Sequence, residues 1–313
     1  METRYNRRKI KENYCAGQHL KLPDLKKTAK SSGIGNQYLY KENIPPYPRP
    51  ELHVSHLKHD TDKRGLKGIS ADEGFRAAFR GSLVWWSLAV TPEEISSAEE
   101  RLLKEAFPEW TEEQAKGQEN SLAKFATSPA FLKTSRFGSY RFTLPLRELL
   151  TAYSQQFCDG SAPVLRVFET VLYKQEVVYS VLVHSRSNNQ LFHHFPLLRD
   201  DPDAVCAYRD GRFIWRPEAM CETHSYELTK NPDQNGFEVN FVYGPPFYVW
   251  DNVAVAFHVD DAQVLQLDES QLRESLSFCK GAAPPLAKFQ SFEDATELVQ
   301  ELWPGDSSPL KGE

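Results

Sequence analysis

The sequence predicts an α+β fold in which an antiparallel or mixed β-sheet is combined with several short helices. Helical periodicity dominates the first half of the chain, whereas strand-length runs rich in Val, Tyr and Phe follow one another in the second half. Turn signals such as Asp210-Gly211 separate those runs at hairpin spacing. Aromatic residues make up 12% of the chain, which suits a sheet better than a helical bundle.

The segment from 51 to 157 predicts short strands between amphipathic helices. Strands are expected at Leu52–Leu57 and Leu83–Val90, and the second is apolar enough to be buried on both faces. Helices are expected at Lys63–Ile69 with Gly74 as its C-terminal cap, at 92–107, at 111–126 and at Leu146–Phe157. The helix at 92–107 is the best defined, because Thr91, Pro92 and Glu94 form a capping box with proline in the first turn.

After residue 163 the pattern predicts hairpins. Paired strands are expected at Val164–Leu172 and Glu176–His184, at Val205–Tyr208 and Arg212–Trp215, at Thr223–Thr229 and Phe237–Tyr243, and at Phe247–Trp250 and Val253–Val259. Further strands at Gln190–Leu198 and Val264–Leu267, and helices at 269–279 and Phe292–Trp303, complete the predicted elements.

Residues 1–50 are predicted to be a flexible arm and linker that is basic and rich in proline. The first 30 residues carry a net charge of +6, whereas the rest of the chain carries −12. One α+β domain is expected at 51–303, followed by a disordered tail at 304–313. The arm is a candidate to bind nucleic acid or a nuclear import receptor, or it is a solvated tail, while the acidic domain should repel nucleic acid.

The sequence predicts a reducing compartment, cytoplasmic or nuclear. Its five cysteines show no paired spacing, as expected for reduced thiols. No apolar run reaches the length of a transmembrane helix, and no apolar segment follows the charged start as in a signal peptide. We therefore expect neither a membrane span nor secretion, and a protein partner is an open option.

Common catalytic signatures are missing from the sequence. It contains no Walker phosphate-binding loop, no Rossmann glycine fingerprint, no Gly-x-Ser-x-Gly elbow and no His-Glu-x-x-His. A metal site would have to be assembled from scattered side chains, namely His184, His193, His194, Cys206, Cys221 and His224. Only Cys221 and His224 have ligand spacing, so no metal site is predicted.

The most informative motif lies between residues 53 and 98. It runs through His59-Asp60-Thr61, Leu66, Ile69, Gly74-Phe75, Leu83-Val84-Trp85-Trp86-Ser87 and Ser97-Ala98. This order resembles the opening of the ADP-ribosyltransferase fold, including its poly(ADP-ribose) polymerase branch. That family has a strand ending in His-x-Thr, a short helix, Gly-Phe, a strand with an aromatic residue, and a second helix.

The resemblance implies that NAD is a substrate and that no cofactor is covalently bound. His59, with Thr61 in the same motif, would bind NAD through a ribose hydroxyl, and Trp85 or Trp86 would stack on nicotinamide. Cleavage of the nicotinamide bond passes through an oxocarbenium-like state, as glycoside hydrolysis does. Such chemistry needs an aromatic clamp, a hydrogen bond to the ribose and a carboxylate near the developing cation.

Three positions depart from the family pattern. Asp60 replaces the middle glycine of His-Gly-Thr, a tryptophan replaces the clamp tyrosine, and Ala254 or Ala256 occupies the place of the late glutamate. A different strand register would bring in Glu222, Glu227 or Glu238 instead. The catalytic residue is therefore unassigned.

Two functions stay open at this point, and whether the chain is an enzyme is undecided. One is a mono-ADP-ribosyltransferase-like protein that uses NAD, with a complete or a degenerate site. The alternative is a non-catalytic interaction or scaffold protein of the cytosol or nucleus, whose aromatic sheet face and basic arm bind partners.

Overall fold

A computed structural model describes most of the chain. The residues described are 1–6, 9, 11–18, 20–35, 39–40, 50–77, 82–106, 108–109, 128–173, 176–199, 204–219, 228–230, 237–239, 248–250, 252–305 and 309–312. The predicted helix at 111–126 and most of the predicted hairpin at 223–243 lie outside these residues.

The described residues alternate between short strands and helices. The strands are β1 (Glu2–Tyr5), β2 (Lys11–Ala16), β3 (Leu52–Val54), β4 (His56–Thr61), β5 (Gly74–Arg76), β6 (Leu83–Ala89), β7 (Tyr140–Pro145), β8 (Val164–Tyr173), β9 (Glu176–His184), β10 (Cys206–Arg209), β11 (Arg212–Trp215), β12 (Glu218–Ala219), β13 (Leu228–Lys230), β14 (Phe237–Val239), β15 (Tyr248–Val249), β16 (Asn252–His258), β17 (Val264–Gln266), β18 (Leu276–Phe278) and β19 (Lys311–Gly312). The helices are α1 (Leu22–Ser31), α2 (Lys63–Asp72), α3 (Pro92–Ala106), α4 (Leu146–Phe157), α5 (Asn189–Phe192), α6 (Glu269–Ser275) and α7 (Phe292–Leu302), with short 3₁₀ turns at Pro129–Phe131 and Arg186–Asn188.

One large mixed sheet organises the fold. Its strand order is β1-β2-β8-β9-β16-β6-β4-β7-β18-β19, and smaller sheets are formed by β10-β11-β3, β12-β15, β13-β14 and β17-β5. β16 runs parallel to β9 and antiparallel to β6, and β19 runs parallel to β18. The α+β class with a mixed sheet is therefore confirmed.

Strand alternation places the main core on one face of the large sheet. In β6, Val84, Trp86 and Leu88 are buried, and their cross-strand neighbours Val255 and Phe257 are buried as well. Helix α4 covers this face, since the Tyr153 ring meets Phe257 edge-on at 5.4 Å and its hydroxyl donates to the His258 carbonyl at 2.6 Å. Among the described residues, none of the helices combines the length and apolar character needed to cross a bilayer.

The described part of the predicted arm is folded onto the sheet. β1 and β2 form a hairpin that extends the sheet beyond β8, and Leu25 and Ala29 of α1 are fully buried. This differs from the flexible arm expected at 1–50, because the hairpin is fixed by partners far away in sequence. Arg4 donates from both terminal nitrogens to the buried Glu169 carboxylate at 2.6 Å, and its guanidinium lies 4.5 Å from the Tyr14 ring centre.

Several other predictions need correction. Gln190–Leu198 contains the short helix α5 rather than a strand, and the helix predicted at 269–279 ends at Ser275, where β18 begins. In the predicted tail, Leu310 is buried and β19 pairs with β18. β6 is buried on one face only, because its other face carries the exposed Trp85.

The end of α2 also differs from the prediction. Glu73, with a φ of 51°, is the left-handed residue after α2, rather than Gly74. Gly74 is required for another reason, since a Cβ there would collide with the backbone of Leu265 on β17.

The capping box of α3 is confirmed. The Thr91 hydroxyl accepts from the Glu94 amide at 3.3 Å, and the Glu94 carboxylate accepts from the Thr91 amide at 2.9 Å. The same carboxylate accepts from the amide of Ser55 at 2.7 Å and from its hydroxyl. Glu94 therefore ties the start of α3 to the junction between β3 and β4.

We expect Glu94→Ala to destabilise the protein more than Thr91→Ala. Loss of the Thr91 cap should cost about 1 kcal/mol, whereas loss of Glu94 leaves the amides of Thr91 and Ser55 without their acceptor and should cost about 2 kcal/mol. Denaturant midpoints of both variants test this, with Glu100→Ala on the exposed face of α3 as the control. Equal midpoints for both variants and wild type would contradict the capping assignment.

Arg4→Met should lower the free energy of unfolding by about 3 kcal/mol, because it leaves the buried Glu169 carboxylate without its cationic partner. The double variant Arg4→Met/Glu169→Gln should recover part of that loss, since the buried charge is then removed. Urea denaturation measures both, and Lys27→Met on the exposed side of α1 is the control. An Arg4→Met protein as stable as wild type would show that the hairpin contributes little.

Candidate functional site

The large sheet contains a fork between β4 and β6. Their antiparallel ladder pairs His56 with Ala89, Leu57 with Leu88 and Lys58 with Ser87, and it ends there. Beyond this point β4 stays paired with β7 as far as Thr61, while β6 stays paired with β16 as far as Leu83. The two strands therefore separate at His59 and Trp86, and each remains held by its other neighbour.

Residues next to the end of β4 fix the position of this strand where it separates from β6. The Asp62 carboxylate caps α2 by accepting from the Gly65 amide at 2.9 Å, so the chain turns directly from strand to helix. Gly138, with a φ of 146°, packs its backbone against the Thr61 carbonyl so closely that a Cβ there would collide with it. Thr61 itself is buried under α2 and is not available to a ligand.

The His59 ring fills the fork. Its Nδ1 lies 2.8 Å from the Trp85 carbonyl oxygen, and the ring meets Phe75 and Trp86 edge-on at centre distances of 5.1 and 5.4 Å. Because a carbonyl can only accept, Nδ1 must carry the proton. Burial lowers the pKa of His59 below its ordinary value, so the ring is neutral near pH 7 and Nε2 is unprotonated.

Two nitrogen atoms at the fork have no hydrogen-bond partner among the described residues. No described residue hydrogen-bonds to Nε2 of His59, which therefore keeps a free acceptor lone pair. Nε1 of the buried Trp86 is a donor, and no described residue accepts from it. The fork thus offers one acceptor and one donor next to the aromatic rings of Phe75 and Trp86.

The two tryptophans lie on opposite faces of the sheet, as strand alternation predicts. Trp86 is 1% exposed and shares its face with His59, whereas Trp85 is 36% exposed on the other face. The Trp85 ring lies 6.2 Å from that of Phe168. The structure therefore joins His59 to the backbone of Trp85 and to the ring of Trp86, but it does not bring the Trp85 ring to the His59 face.

Asp60 does not point into the fork. Alternation along β4 directs it to the face opposite His59, where it pairs with Arg141 at 2.7 and 3.0 Å. Arg141 is 3% exposed, and its remaining N–H groups donate to the carbonyls of Leu132, Lys133 and Thr134. The residue that replaces the family's glycine therefore anchors β4 and the 132–134 loop.

The late strand provides no carboxylate near the fork. β16 places Ala256 opposite Trp85 and Ala254 opposite Ser87. Glu222 and Glu227 lie outside the described residues, and only the backbone of Glu238 is described, in β14. Glu169, on β8, is occupied by Arg4.

The scattered histidines and cysteines do not assemble a metal site among the described residues. Nε2 of His184 accepts from Arg166 at 2.8 Å, Cys206 is buried and is not part of a disulfide, and His193 and His194 lie in a turn with their rings 6.0 Å apart. Cys221 and His224 lie outside the described part of the chain.

Sequence patterns did not single out Arg141 and gave Phe75 only as part of a motif. Arg141 lies on β7, and no local feature marks a partner that is 81 residues away. Phe75 follows a recognisable Gly74, but its contact with His59 depends on how β5 folds back after α2.

Comparisons with known proteins found no similarity to this chain. No family model matches the sequence, and searches of curated proteins and of solved structures found no match either.

His59→Phe should lower the free energy of unfolding by about 1–2 kcal/mol, because ring packing is kept while the bond to the Trp85 carbonyl is lost. It should also reduce the dependence of stability on pH. The folded-state pKa of His59 is lowered, so the unfolded chain takes up the proton first, and wild type loses stability as the pH falls below about 6.5.

Urea unfolding between about pH 7 and pH 5 measures this difference, since the variant lacks the titrating ring. A slope of stability against pH that is the same in both proteins would contradict the assignment of a neutral His59.

Proposed function

We propose that the fork binds NAD and that the chain is a mono-ADP-ribosyltransferase-like protein. The main support is the tautomer of His59, which leaves Nε2 as a free acceptor beside two aromatic rings. A ribose hydroxyl is a donor that suits this atom. The neutral state of the ring matters, because an imidazolium would offer only donors.

The aromatic contact is assigned to Trp85. Its ring is the exposed one of the two tryptophan rings. Its backbone carbonyl accepts from the His59 ring, so Trp85 on β6 and His59 on β4 meet where the two strands separate. Since the Trp85 ring and the His59 ring lie on opposite faces and the His59 ring fills the fork, a ligand that contacts both must lie across the open end of the fork, beyond His59. Trp86 then lines the inner wall, and its free Nε1 is a donor for a carbonyl or phosphate oxygen of the ligand.

The described residues supply binding groups rather than a complete reaction centre. His59 would hold and orient the ribose, and the apolar surroundings of Phe75 and Trp86 would exclude water from the bond to be broken. A developing oxocarbenium ion also needs a carboxylate, and β16 carries Ala254 and Ala256 at the positions that face this edge. β16 therefore contributes no carboxylate to the reaction, and the catalytic residue stays unassigned.

The second candidate is a non-catalytic interaction protein with the same fork. The alanines of β16 favour it, because they leave the nearest described strand without an acid. Either function suits a reducing compartment such as the cytosol or nucleus, since the described cysteines Cys15, Cys158, Cys206 and Cys279 are buried and none of them is in a disulfide.

Calorimetric titration with NAD tests the proposal. Wild type should show saturable binding with a dissociation constant below about 1 mM. His59→Phe and Trp85→Ala should each weaken binding by about tenfold or more, the loss of about 1.4 kcal/mol that one hydrogen bond or ring contact supplies. His193→Ala, a change in an exposed histidine away from the fork, should bind as wild type does.

Three outcomes separate the candidates. Binding with release of free nicotinamide supports an active transferase, binding without release supports a transferase-like protein with a degenerate site, and absence of NAD binding favours the non-catalytic interaction protein. Absence of NAD binding in wild type, or equal binding by wild type and His59→Phe, would contradict the proposal.

A further inference from the structure

A second histidine cluster lies away from the fork, under the segment formed by residues 185–199. This segment contains the turn at Arg186–Asn188 and α5, and it packs Phe192 and Phe195 against Leu182 of β9. Its far end is attached to β8, because the Val167 amide donates to the Pro196 carbonyl and the Leu198 amide to the Leu165 carbonyl, both at 2.9 Å. The segment thus covers an apolar part of the sheet.

Arg166 on β8 holds the segment from beneath. Its side chain is almost fully buried and donates to three groups, namely Nε2 of His184 at 2.8 Å, the Phe195 carbonyl at 2.7 Å and the Asn189 side-chain oxygen at 3.2 Å. No carboxylate of the described residues hydrogen-bonds to this guanidinium. Its charge is therefore stabilised by neutral acceptors, two of them in the 185–199 segment.

His184 must be neutral in this arrangement. Arginine has no acceptor, so Nε2 of His184 must offer a lone pair to it, and the proton lies on Nδ1, which donates to the Ser185 carbonyl at 2.7 Å. Protonation would set an N–H of one cation against an N–H of another at this distance. Burial, together with the nearby Arg166 and His258, lowers the pKa of His184 and keeps the ring neutral near pH 7.

His258 on β16 faces the same segment from the other side of Phe192. The Phe192 ring lies 4.9 Å from His184 and 4.8 Å from His258, and Asn188 donates to Nδ1 of His258 at 3.1 Å. Two acids lie near His258, since Asp260 is 3.7 Å from its Nε2 and the charge of Asp261 acts to raise its pKa. Burial lowers the pKa of His258 while these acids oppose that shift, and a proton on its Nδ1 would face the Asn188 amide, whereas a proton on Nε2 of His184 would face Arg166.

We infer that His184 is an acid-sensitive latch that holds the 185–199 segment against the sheet when neutral and releases it when protonated. Release breaks the contact between Arg166 and His184 and frees Asn189 and Phe195 from their bonds to Arg166. It uncovers Leu182 and Phe168, and the latter borders the exposed Trp85 ring. Phe195 packs edge-on against Phe168 at 5.0 Å, so movement of the segment changes the surroundings of Trp85.

Hydrogen exchange of the full-length chain tests the latch. After correction for intrinsic exchange rates, peptides covering 186–198 should lose protection by about tenfold or more between about pH 7.5 and pH 5, the range in which a histidine changes charge. Peptides covering 141–156, in β7 and α4, should keep their protection. Equal protection at both pH values, or a loss that spreads over the whole chain, would overturn the latch.

Two variants assign the effect to His184. His184→Gln keeps an oxygen acceptor for Arg166 and cannot be protonated, so its 186–198 peptides should stay protected at low pH. His193→Gln removes an exposed histidine in the same segment and should behave as wild type does. A His184→Gln protein that loses protection on acidification as wild type does would overturn the proposal.

If His184→Gln does not fold, an NMR titration of the His184 ring in the wild-type protein tests the latch instead. The latch requires that the protonation midpoint of His184 coincide with the loss of protection in 186–198. Midpoints that differ by more than about one pH unit, a tenfold difference in proton affinity, would overturn it.

Discussion

The fork between β4 and β6 depends on one constraint. Each of these two strands pairs with its outer neighbour, β7 or β16, over more positions than the two strands pair with each other. β4 pairs with β7 over six positions, from His56 to Thr61, whereas its ladder with β6 covers three. The Asp60–Arg141 pair fixes the outer side of β4, and β16 fixes β6. The His59 side chain then satisfies the Trp85 carbonyl that the broken ladder leaves unpaired.

Buried cationic side chains that donate to backbone carbonyls recur on the face of the large sheet opposite to the His59 ring. Lys58 donates to the carbonyls of Pro129 and Leu132, Arg141 to those of the 132–134 loop, and Arg166 to that of Phe195. A buried cation is strongly destabilising unless its donors are occupied, so each of these side chains fixes the segment it contacts. The arrangement explains how irregular loops stay in place over a sheet whose two ends lie far apart in sequence.

Local sequence determined the elements that could be predicted. The capping box at Thr91 and Glu94 and the turn at Asp210-Gly211, where both residues have positive φ, depend on neighbours only a few positions apart. The N-terminal hairpin could not be predicted, because Arg4 meets Glu169 at a separation of 165 residues. The parallel pairing of β16 with β9 and the helical turn at Asn189–Phe192 likewise depend on tertiary packing.

In the candidate site, too, some features follow from local sequence and others depend on tertiary contacts. Alternation along β6 places the two tryptophans on opposite faces, but the apolar run predicted burial of both faces and did not indicate which tryptophan shares a face with His59. That choice follows from the register of β4 against β7 and β6, which only the folded chain defines. The role of Asp60 as the partner of Arg141 was equally invisible, since adjacent strands bring the two together across 81 residues.

NAD binding at His59 is tested most directly by the protonation state of its ring, observed through the ring nitrogens by long-range ¹⁵N NMR near pH 7. We expect a neutral ring with the proton on Nδ1 and a lone pair on Nε2, and an Nε2 signal that shifts when NAD is added. A ring protonated on Nε2, or a His59 spectrum unchanged by saturating NAD, would contradict it.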